Sequence, residues 1–218
     1  MLFDDKIAME VAAELLKIGA VKLSPEKPFI WASGWHSPIY CDNRISLSYP
    51  DSRNQIKNNF AELIQTNFSN ADSIAAVATA GIAHGALIAD HLQLPFSYVR
   101  SSPKEHGMKN LVEGRIESGQ KVVVVEDLIS TGGSSLKVVD ALRDAGAIVI
   151  GLIAIFSYSF PDAEKKFEEY HIPLFTLTDY PTLLNMALQC GAISSEQIAT
   201  LNEWRLNPAS WNQTKITN

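Results

Sequence analysis

Cysteine is scarce in this sequence, and no apolar run is long enough to cross a membrane. The two cysteines, Cys41 and Cys190, lie far apart and form no CxxC pair, so neither a disulfide framework nor a structural zinc site is predicted. Charged residues at positions 4, 5, 6 and 10 interrupt the amphipathic start of the chain, which argues against a signal peptide. A cytoplasmic protein without a membrane partner is therefore expected.

Positive charge is also in short supply. The chain has 18 Lys and Arg against 24 Asp and Glu, a net charge of -6, so a nucleic-acid partner is not expected. The histidines show neither HExxH nor paired Cys/His spacing, and no GxSxG motif is present. A transition-metal site and a serine-hydrolase triad are therefore not predicted.

What the sequence does contain, from residue 73 onward, is a series of short runs rich in Val, Ile and Ala separated by helical lengths. Near-continuous apolar runs of this kind are typical of parallel strands covered on both faces. The 218 residues, 46% of them apolar, suit one α/β domain with a substantial core. Helices are predicted in the first twenty residues and over residues 52 to 67, 82 to 91, 134 to 145, 180 to 190 and from Ser194 or Ser195.

Two segments lack a regular period. Residues 29 to 44, FIWASGWHSPIYCDNR, are rich in aromatics, Ser, Gly and Pro and are predicted to form a loop with short strands. Residues 101 to 119 are polar and lie between two predicted strands. A loop of this length in a compact domain is usually a functional lid or a disordered segment, and a surface helix is the alternative.

The strongest functional signal is KVVVVEDLISTGGSSLKVVDALRDAGA, residues 121 to 147. It predicts a buried strand, two acids (Glu126 and Asp127), a polar turn over residues 130 to 134 and an amphipathic helix. Ligands of parallel sheets bind beyond the carboxyl ends of strands, and the backbone N–H groups of such a turn suit a monophosphate. The alternative is an ordinary strand and capped helix with solvated acids.

The segment VVVVEDLISTGGS resembles the phosphoribosyl pyrophosphate signature of the type I phosphoribosyltransferases. The resemblance implies a Rossmann-like parallel sheet flanked by helices, with a small N-terminal hood lobe. It also implies that the acid pair holds the ribose hydroxyls of phosphoribosyl pyrophosphate and that the turn holds the 5-phosphate. The implied donor-binding residues in this segment are Glu126, Asp127, Leu128, Ile129, Ser130, Thr131, Gly132, Gly133 and Ser134.

Two further segments resemble the orotate phosphoribosyltransferases within that family. YVRSSPKEHGMKNLVEG resembles their catalytic loop, which implies donor binding by Arg100, Lys104 and His106 and catalytic roles for Lys104 and His106. The segment from 29 to 44 resembles the part of those enzymes that encloses the base, and ATAGIAHG, residues 78 to 85, resembles their pyrophosphate-contacting turn. Cationic side chains on a lid would neutralise the departing pyrophosphate and exclude water.

One departure concerns the base. Some members of the family bind the carboxylate of orotate with an Arg after the strand that follows the signature helix, whereas this chain has IFSYSFP, with Tyr158 near that place. Ser130 is the best candidate for an orotate-binding residue, and Arg44 and Tyr40 are weaker ones. Arg44 has a structural ion pair as its alternative role.

These observations predict one domain over residues 1 to 218, with residues 1 to about 45 in the hood and about 70 to 180 in the sheet core. The predicted reaction joins orotate to the ribose 5-phosphate of phosphoribosyl pyrophosphate in pyrimidine biosynthesis, with Mg²⁺ as cofactor and no dedicated metal-binding residue. The resemblance implies a homodimer with shared active sites. A purine-base phosphoribosyltransferase and a non-catalytic sensor of the donor are the alternatives.

Overall fold

The architecture was obtained as a computed structural model, which describes residues 1–31, 34–102 and 111–211. Four short strands come first in the chain, and six strands that form one sheet follow them. The first four are β1 (Val21–Leu23), β2 (Phe29–Ile30), β3 (His36–Ser37) and β4 (Ile39–Cys41). The other six are β5 (Ser73–Val77), β6 (Phe96–Val99), β7 (Val112–Glu113), β8 (Lys121–Ile129), β9 (Ile148–Ser157) and β10 (Leu174–Asp179).

Among the described residues there are seven α-helices, and one 3-10 helix at Asn43–Ser48 leads out of the short strands. None of the described helices is long and apolar enough to span a membrane. The α-helices are α1 (Asp5–Lys17), α2 (Pro50–Asn67), α3 (Gly81–Leu92), α4 (Gly133–Asp144), α5 (Pro161–Glu169), α6 (Tyr180–Gln189) and α7 (Ser195–Leu206).

The six-stranded sheet has the order β10-β9-β8-β5-β6-β7, and every pair is parallel except β6 with β7. Its centre is β8, where Val122, Val123, Val124 and Val125 are fully buried. Because parallel crossovers are right-handed, α3, between β5 and β6, and α4, between β8 and β9, cover opposite faces of the sheet. The predicted Rossmann-like architecture is confirmed.

The four short strands form two separate antiparallel ribbons, β1 with β4 and β2 with β3. We call β1 to β4 the hood strands. Trp31, which follows β2, donates its indole N–H to the backbone oxygen of Ile39 in β4 at 3.2 Å, so the two ribbons are joined by a side chain. The prediction of a loop with short strands over residues 29 to 44 is confirmed in the described part.

The structure differs from the sequence analysis in three places. Strand β8 continues through Ile129, so it includes residues 128 and 129, which the sequence analysis left between the acid pair and the turn. Helix α5 was not predicted, because only Ala163 and Phe167 of its nine residues are buried and the apolar period is too short to recognise. Finally, the described end of the predicted 101–119 loop contains β7, which closes the sheet edge by pairing antiparallel with β6.

Candidate active site

An acid pair stands at the carboxyl end of the central strand. The pairing of β5 with β8 ends at Ala76 and Val125, while β8 runs on beside β9, so Glu126 and Asp127 project past the shorter neighbour. Glu126 is only 5% exposed. Its carboxylate accepts hydrogen bonds from the backbone N–H of Asp127 at 3.0 Å and from the Ser135 hydroxyl at 3.2 Å. The alternative of solvated acids is therefore wrong for Glu126.

Burial makes this pair reluctant to ionise. Loss of solvent, followed by the adjacent negative charge of Asp127, raises the pKa of Glu126 well above its usual value. Burial also raises the pKa of Asp127, although its hydrogen bonds and the nearby Arg44 guanidinium oppose that effect. Two buried, neighbouring carboxyl groups favour hydroxyl groups or a cation as their ligand. Either ligand lowers the free-energy cost of ionising the carboxyl groups.

The polar turn after β8 is shaped to leave backbone N–H groups available. Gly132 adopts φ +75°, and a Cβ added there would lie 2.9 Å from a ring carbon of Phe167. Helix α4 begins immediately afterwards, and no side chain of the described residues caps its amino end. The first N–H groups of α4 and the positive end of its dipole are therefore open to an anion, as the sequence predicted for residues 130 to 134.

A cavity of about 440 Å³ lies next to the acid pair, and we call it the hood cavity. One wall belongs to the hood strands and the residues beside them, and the other to the ends of β8 and β9. Its lining residues are Ile30, Trp31, Tyr40, Cys41, Leu128, Ser130 and Tyr158. Apolar and aromatic surface with a few hydroxyl groups is the usual lining of a small-molecule site.

The hood strands are tied to the acid pair by one buried side chain. Asn43 is 0% exposed, and its Nδ2 donates to the backbone oxygen of Asp127 at 2.7 Å. The Trp31 ring also contacts the Tyr158 ring across the cavity, with 5.2 Å between centroids. Arg44 forms a bidentate pair with Asp42 at 2.7 and 2.9 Å. Its alternative role as an ion-pair partner is therefore present in the structure.

A second cavity of about 410 Å³ lies on the other side of the turn, between the ends of β5 and β6 and the start of α4. The polar lining of this cavity contains charges of both signs and two hydroxyl groups, namely Arg100, Lys137, Asp140, Asp144, Ser101 and Ser134. The backbone N–H of Arg100 donates to the backbone oxygen of Leu111 at 2.9 Å. Its guanidinium forms an ion pair with Glu113 at 3.5 Å. The predicted catalytic residues Lys104 and His106 lie outside the described residues.

The turn predicted to contact pyrophosphate leads into α3 at the same end of the sheet. A Cβ added to Gly81 would lie 2.6 Å from the backbone oxygen of Val125 and 3.5 Å from the Cα of Glu126. Glycine at this position thus allows the start of α3 to approach the end of β8 closely. Residues 78 to 85 and the acid pair are neighbours, although they are more than forty residues apart in sequence.

Few of the described side chains could coordinate a metal ion. The described residues contain no group of three or more His, Cys, Asp or Glu side chains placed to hold a metal ion. Two adjacent carboxyl groups beside the uncapped turn nevertheless fit Mg²⁺, which keeps several waters and is usually held by one or two carboxylates together with substrate phosphates. Glu126 and Asp127 are the side chains that would hold it, with the remaining ligands coming from substrate and water.

Comparison with known proteins identifies the family. The model of the phosphoribosyl transferase domain matches residues 47–180. The orotate phosphoribosyltransferase of Bacteroides thetaiotaomicron is 57% identical over 204 residues, which cover 94% of this chain and 96% of that protein. The chain belongs to the orotate phosphoribosyltransferase family. It is a transferase, as the sequence predicted, and the purine and sensor alternatives are not favoured by this similarity.

Other members of the orotate phosphoribosyltransferase family agree with this assignment. The Lactococcus lactis subsp. cremoris member is 52% identical over 205 residues, which cover 94% of this chain and 98% of that protein. The crystal structure of the Aeropyrum pernix orotate phosphoribosyltransferase matches with a TM-score of 0.74 at 28% identity, covering 84% of this chain and 99% of that one. The match extends to the fold as well as the sequence.

The predicted site residues fall into three groups. Glu126 and Asp127 form the acid pair, Leu128 and Ser130 line the hood cavity, and Arg100 and Ser134 line the second cavity. Ile129 is 1% exposed and its backbone oxygen accepts a hydrogen bond from the Tyr158 N–H, so this residue is not presented to a ligand. Sequence reasoning missed Asn43, Ser135 and Lys137, because each acts through a contact that the order of residues does not reveal.

Proposed function

We propose that the protein transfers the ribose 5-phosphate group of phosphoribosyl pyrophosphate to orotate, giving orotidine 5-phosphate and pyrophosphate. The observation that carries the proposal is that the acid pair, the uncapped turn at the start of α4 and the hood cavity adjoin one another at the carboxyl end of β8. A phosphate, a ribose and a planar base are joined in the product. The three parts of the site offer one place for each.

In this proposal the turn at residues 130 to 134 binds the 5-phosphate through backbone N–H groups and hydroxyls. Glu126 and Asp127 accept hydrogen bonds from the ribose hydroxyls. Mg²⁺, when bound, neutralises charge on the pyrophosphate and ribose oxygens. The raised pKa values of the acid pair support these roles, because a ligand that shares their protons or charge removes the cost of burying them.

The reaction itself needs alignment more than covalent chemistry. The base nitrogen forms a bond to C1 of the ribose while the bond from C1 to pyrophosphate breaks, through a transition state with oxocarbenium character. Arg100, Lys104 and His106 stabilise the negative charge that accumulates on the leaving pyrophosphate, and His106 can donate a proton to it. No covalent intermediate on the protein is required, and the hood strands and the lid exclude water.

We further propose that the base lies in the hood cavity with Ser130 as its hydrogen-bonding partner from the turn. Tyr40, an exposed residue of the cavity lining, offers an aromatic face, and the positive charge of Arg44 lowers the pKa of Asp127. A homodimer with shared active sites, a cytoplasmic location, and a single domain with its hood in residues 1 to about 45 complete the proposal.

Orotate consumption tests the proposed function directly. Purified protein is mixed with phosphoribosyl pyrophosphate, Mg²⁺ and orotate, and the ultraviolet absorbance of orotate is followed, with adenine, hypoxanthine and uracil in parallel reactions. Loss of the orotate signal alone supports the proposal. Turnover of a purine base, or no turnover of any base, contradicts it.

The lid is tested separately with Lys104→Ala. We expect a large fall in turnover, on the order of 100-fold, because one charge that stabilises the departing pyrophosphate is lost. The melting temperature should stay the same. Near-normal turnover would refute the proposed role of Lys104. Lys57→Ala, at a half-buried position of α2 that lines neither cavity, is a control for loss of positive charge alone.

A further inference from the structure

Tyr158 closes the inner wall of the hood cavity. It follows β9, and its backbone N–H donates to the Ile129 oxygen at 3.0 Å, which fixes it beside the end of β8. The side chain is 1% exposed. Rings surround it at centroid distances of 5.2 to 5.5 Å, namely those of Trp31, Phe156, Phe160 and Trp204. The orientation of the phenol is therefore fixed by packing.

The hydroxyl of this fixed ring is left with no hydrogen-bond partner among the residues that the structure describes. Tyr180, which also packs on Trp204, is different, because its hydroxyl donates to the Leu201 oxygen at 2.9 Å. Burial, with smaller contributions from the nearby Cys41, Tyr180, Tyr40 and Asp127, raises the pKa of Tyr158 well above its usual value. The hydroxyl therefore keeps its proton and is a hydrogen-bond donor at any working pH.

The rest of the cavity offers few other donors. Ile30, Trp31 and Leu128 present apolar surface, and burial raises the pKa of the Cys41 thiol, whose Sγ–H points to Asn43 Oδ1 at 3.4 Å. The remaining hydroxyl groups of the lining are those of Ser130, in the turn, and of Tyr40, which is exposed. A planar base with several oxygens that entered this cavity would lose its water, so it needs donors on the inner wall as well as at the turn.

We propose that Tyr158 is a specificity residue of the hood cavity, and that its hydroxyl donates a hydrogen bond to a carbonyl or carboxylate oxygen of the bound pyrimidine. This inference rests on the proposed function and adds the residue that selects the base. A ligand without an acceptor at this point leaves the donor unpaired, and sites of this kind reject such ligands strongly. Tyr158 and Ser130 then contact the base from two sides.

The test compares two ligands that differ only in the base. Binding of orotidine 5-phosphate and of ribose 5-phosphate is measured by isothermal titration calorimetry on the wild type, on Tyr158→Phe and on Tyr180→Phe. Tyr158→Phe keeps the ring and removes only the hydroxyl. We expect about tenfold weaker binding of orotidine 5-phosphate and unchanged binding of ribose 5-phosphate.

Tyr180→Phe is the matched control, because it removes a hydroxyl from the same aromatic cluster that does not line the cavity. It should leave both affinities unchanged while lowering the melting temperature. The KM for orotate should rise in Tyr158→Phe, with the KM for phosphoribosyl pyrophosphate unchanged.

Two results would overturn the inference. One is equal affinity of Tyr158→Phe and wild type for orotidine 5-phosphate, and the other is a parallel loss of affinity for both ligands. Failure of the proposed function is distinguishable, since the wild type itself would then bind ribose 5-phosphate without binding orotidine 5-phosphate more tightly.

Discussion

The turn at residues 130 to 134 and the hood cavity are built in opposite ways. The turn is contiguous, and its shape comes from Gly132 and from the start of α4 directly after it. The hood cavity is assembled from residues 30, 31, 40 and 41, residues 128 and 130, and residue 158, which lie in separate parts of the chain. A local motif specifies the first, whereas long-range packing specifies the second.

This difference explains where substrate choice can change. A contiguous turn that binds a phosphate through backbone N–H groups depends little on side chains, so its chemistry can remain the same while the base varies. The cavity presents side chains from both walls, and single substitutions there alter what it accepts. Variants of each region should therefore affect different substrates.

The largest effect should come from Glu126→Gln, since the acid pair adjoins both regions. We expect kcat/KM to fall on the order of 100-fold, because the variant removes the carboxyl group that accepts hydrogen bonds from the ribose in the proposed function. If the two regions are joined through this residue, the KM values for both substrates should change. A change confined to one substrate would show that the acid pair belongs to one region only. Steady-state kinetics with each substrate varied in turn measures this.

The stability of Glu126→Gln relative to that of the wild type should increase as pH rises. The folded-state pKa of Glu126 is raised, so the native protein binds a proton more tightly than the unfolded chain, and ionisation above the unfolded value near 4.5 costs stability. Glu126→Gln removes that cost, and its melting temperature relative to wild type should increase from about pH 4.5 upward. A difference that is independent of pH would contradict the raised pKa.

Asn43→Ala should disturb the cavity more than the turn. It leaves the buried Asp127 oxygen without its donor, so the free energy of unfolding should fall by about 1–3 kcal/mol in urea denaturation. The KM for orotate should rise while that for phosphoribosyl pyrophosphate changes less. Asn54→Ala, on the exposed side of α2, is the control for the same substitution, and an equal loss of stability there would refute the role of Asn43.

Gly132→Ala should disturb the turn and leave the cavity intact. Alanine at φ +75°, with a Phe167 ring carbon 2.9 Å from its Cβ, would strain the turn by about 1–3 kcal/mol. Because the turn is the proposed phosphate site, the KM for phosphoribosyl pyrophosphate should rise about tenfold. Gly191→Ala is the control, because Gly191 also has a positive φ, +72°, a Cβ there meets nothing within 4 Å, and it lines neither cavity. Similar kinetics for the two variants would show that backbone shape at Gly132 is unimportant.

His84 lies in neither region, so its substitution should have the smallest effect on the kinetics. It is buried in α3, and burial lowers its pKa to about 4 from 6.5, so the unfolded chain takes up a proton that the native state does not. Its contribution to stability is present above pH 6.5 and is lost as pH falls toward 4, by up to about 3 kcal/mol. In His84→Gln, stability should decrease less steeply as pH falls from 6.5 toward 4, and neither KM should change at pH 8. The same decrease of stability with pH in the variant and the wild type would contradict the prediction.

Sequence reasoning predicted the elements best where one strong period or one motif was sufficient. The apolar runs predicted the core strands, and the segment from 121 to 147 predicted the acid pair, the turn and α4. Helix α5 was missed because its exposed face is polar and only two of its residues are buried. Asn43 was missed for a different reason: its partner is a backbone oxygen 84 residues away, and no local pattern encodes such a contact.

The hydrogen bond from Asn43 also bears on how this enzyme could be redesigned. It ends on the main-chain oxygen of residue 127, and every amino acid has that oxygen. The hood strands therefore keep this anchor whatever side chain replaces the acid. Libraries of substitutions at position 127 can then be screened for new sugar donors without dislodging the wall that holds the acceptor.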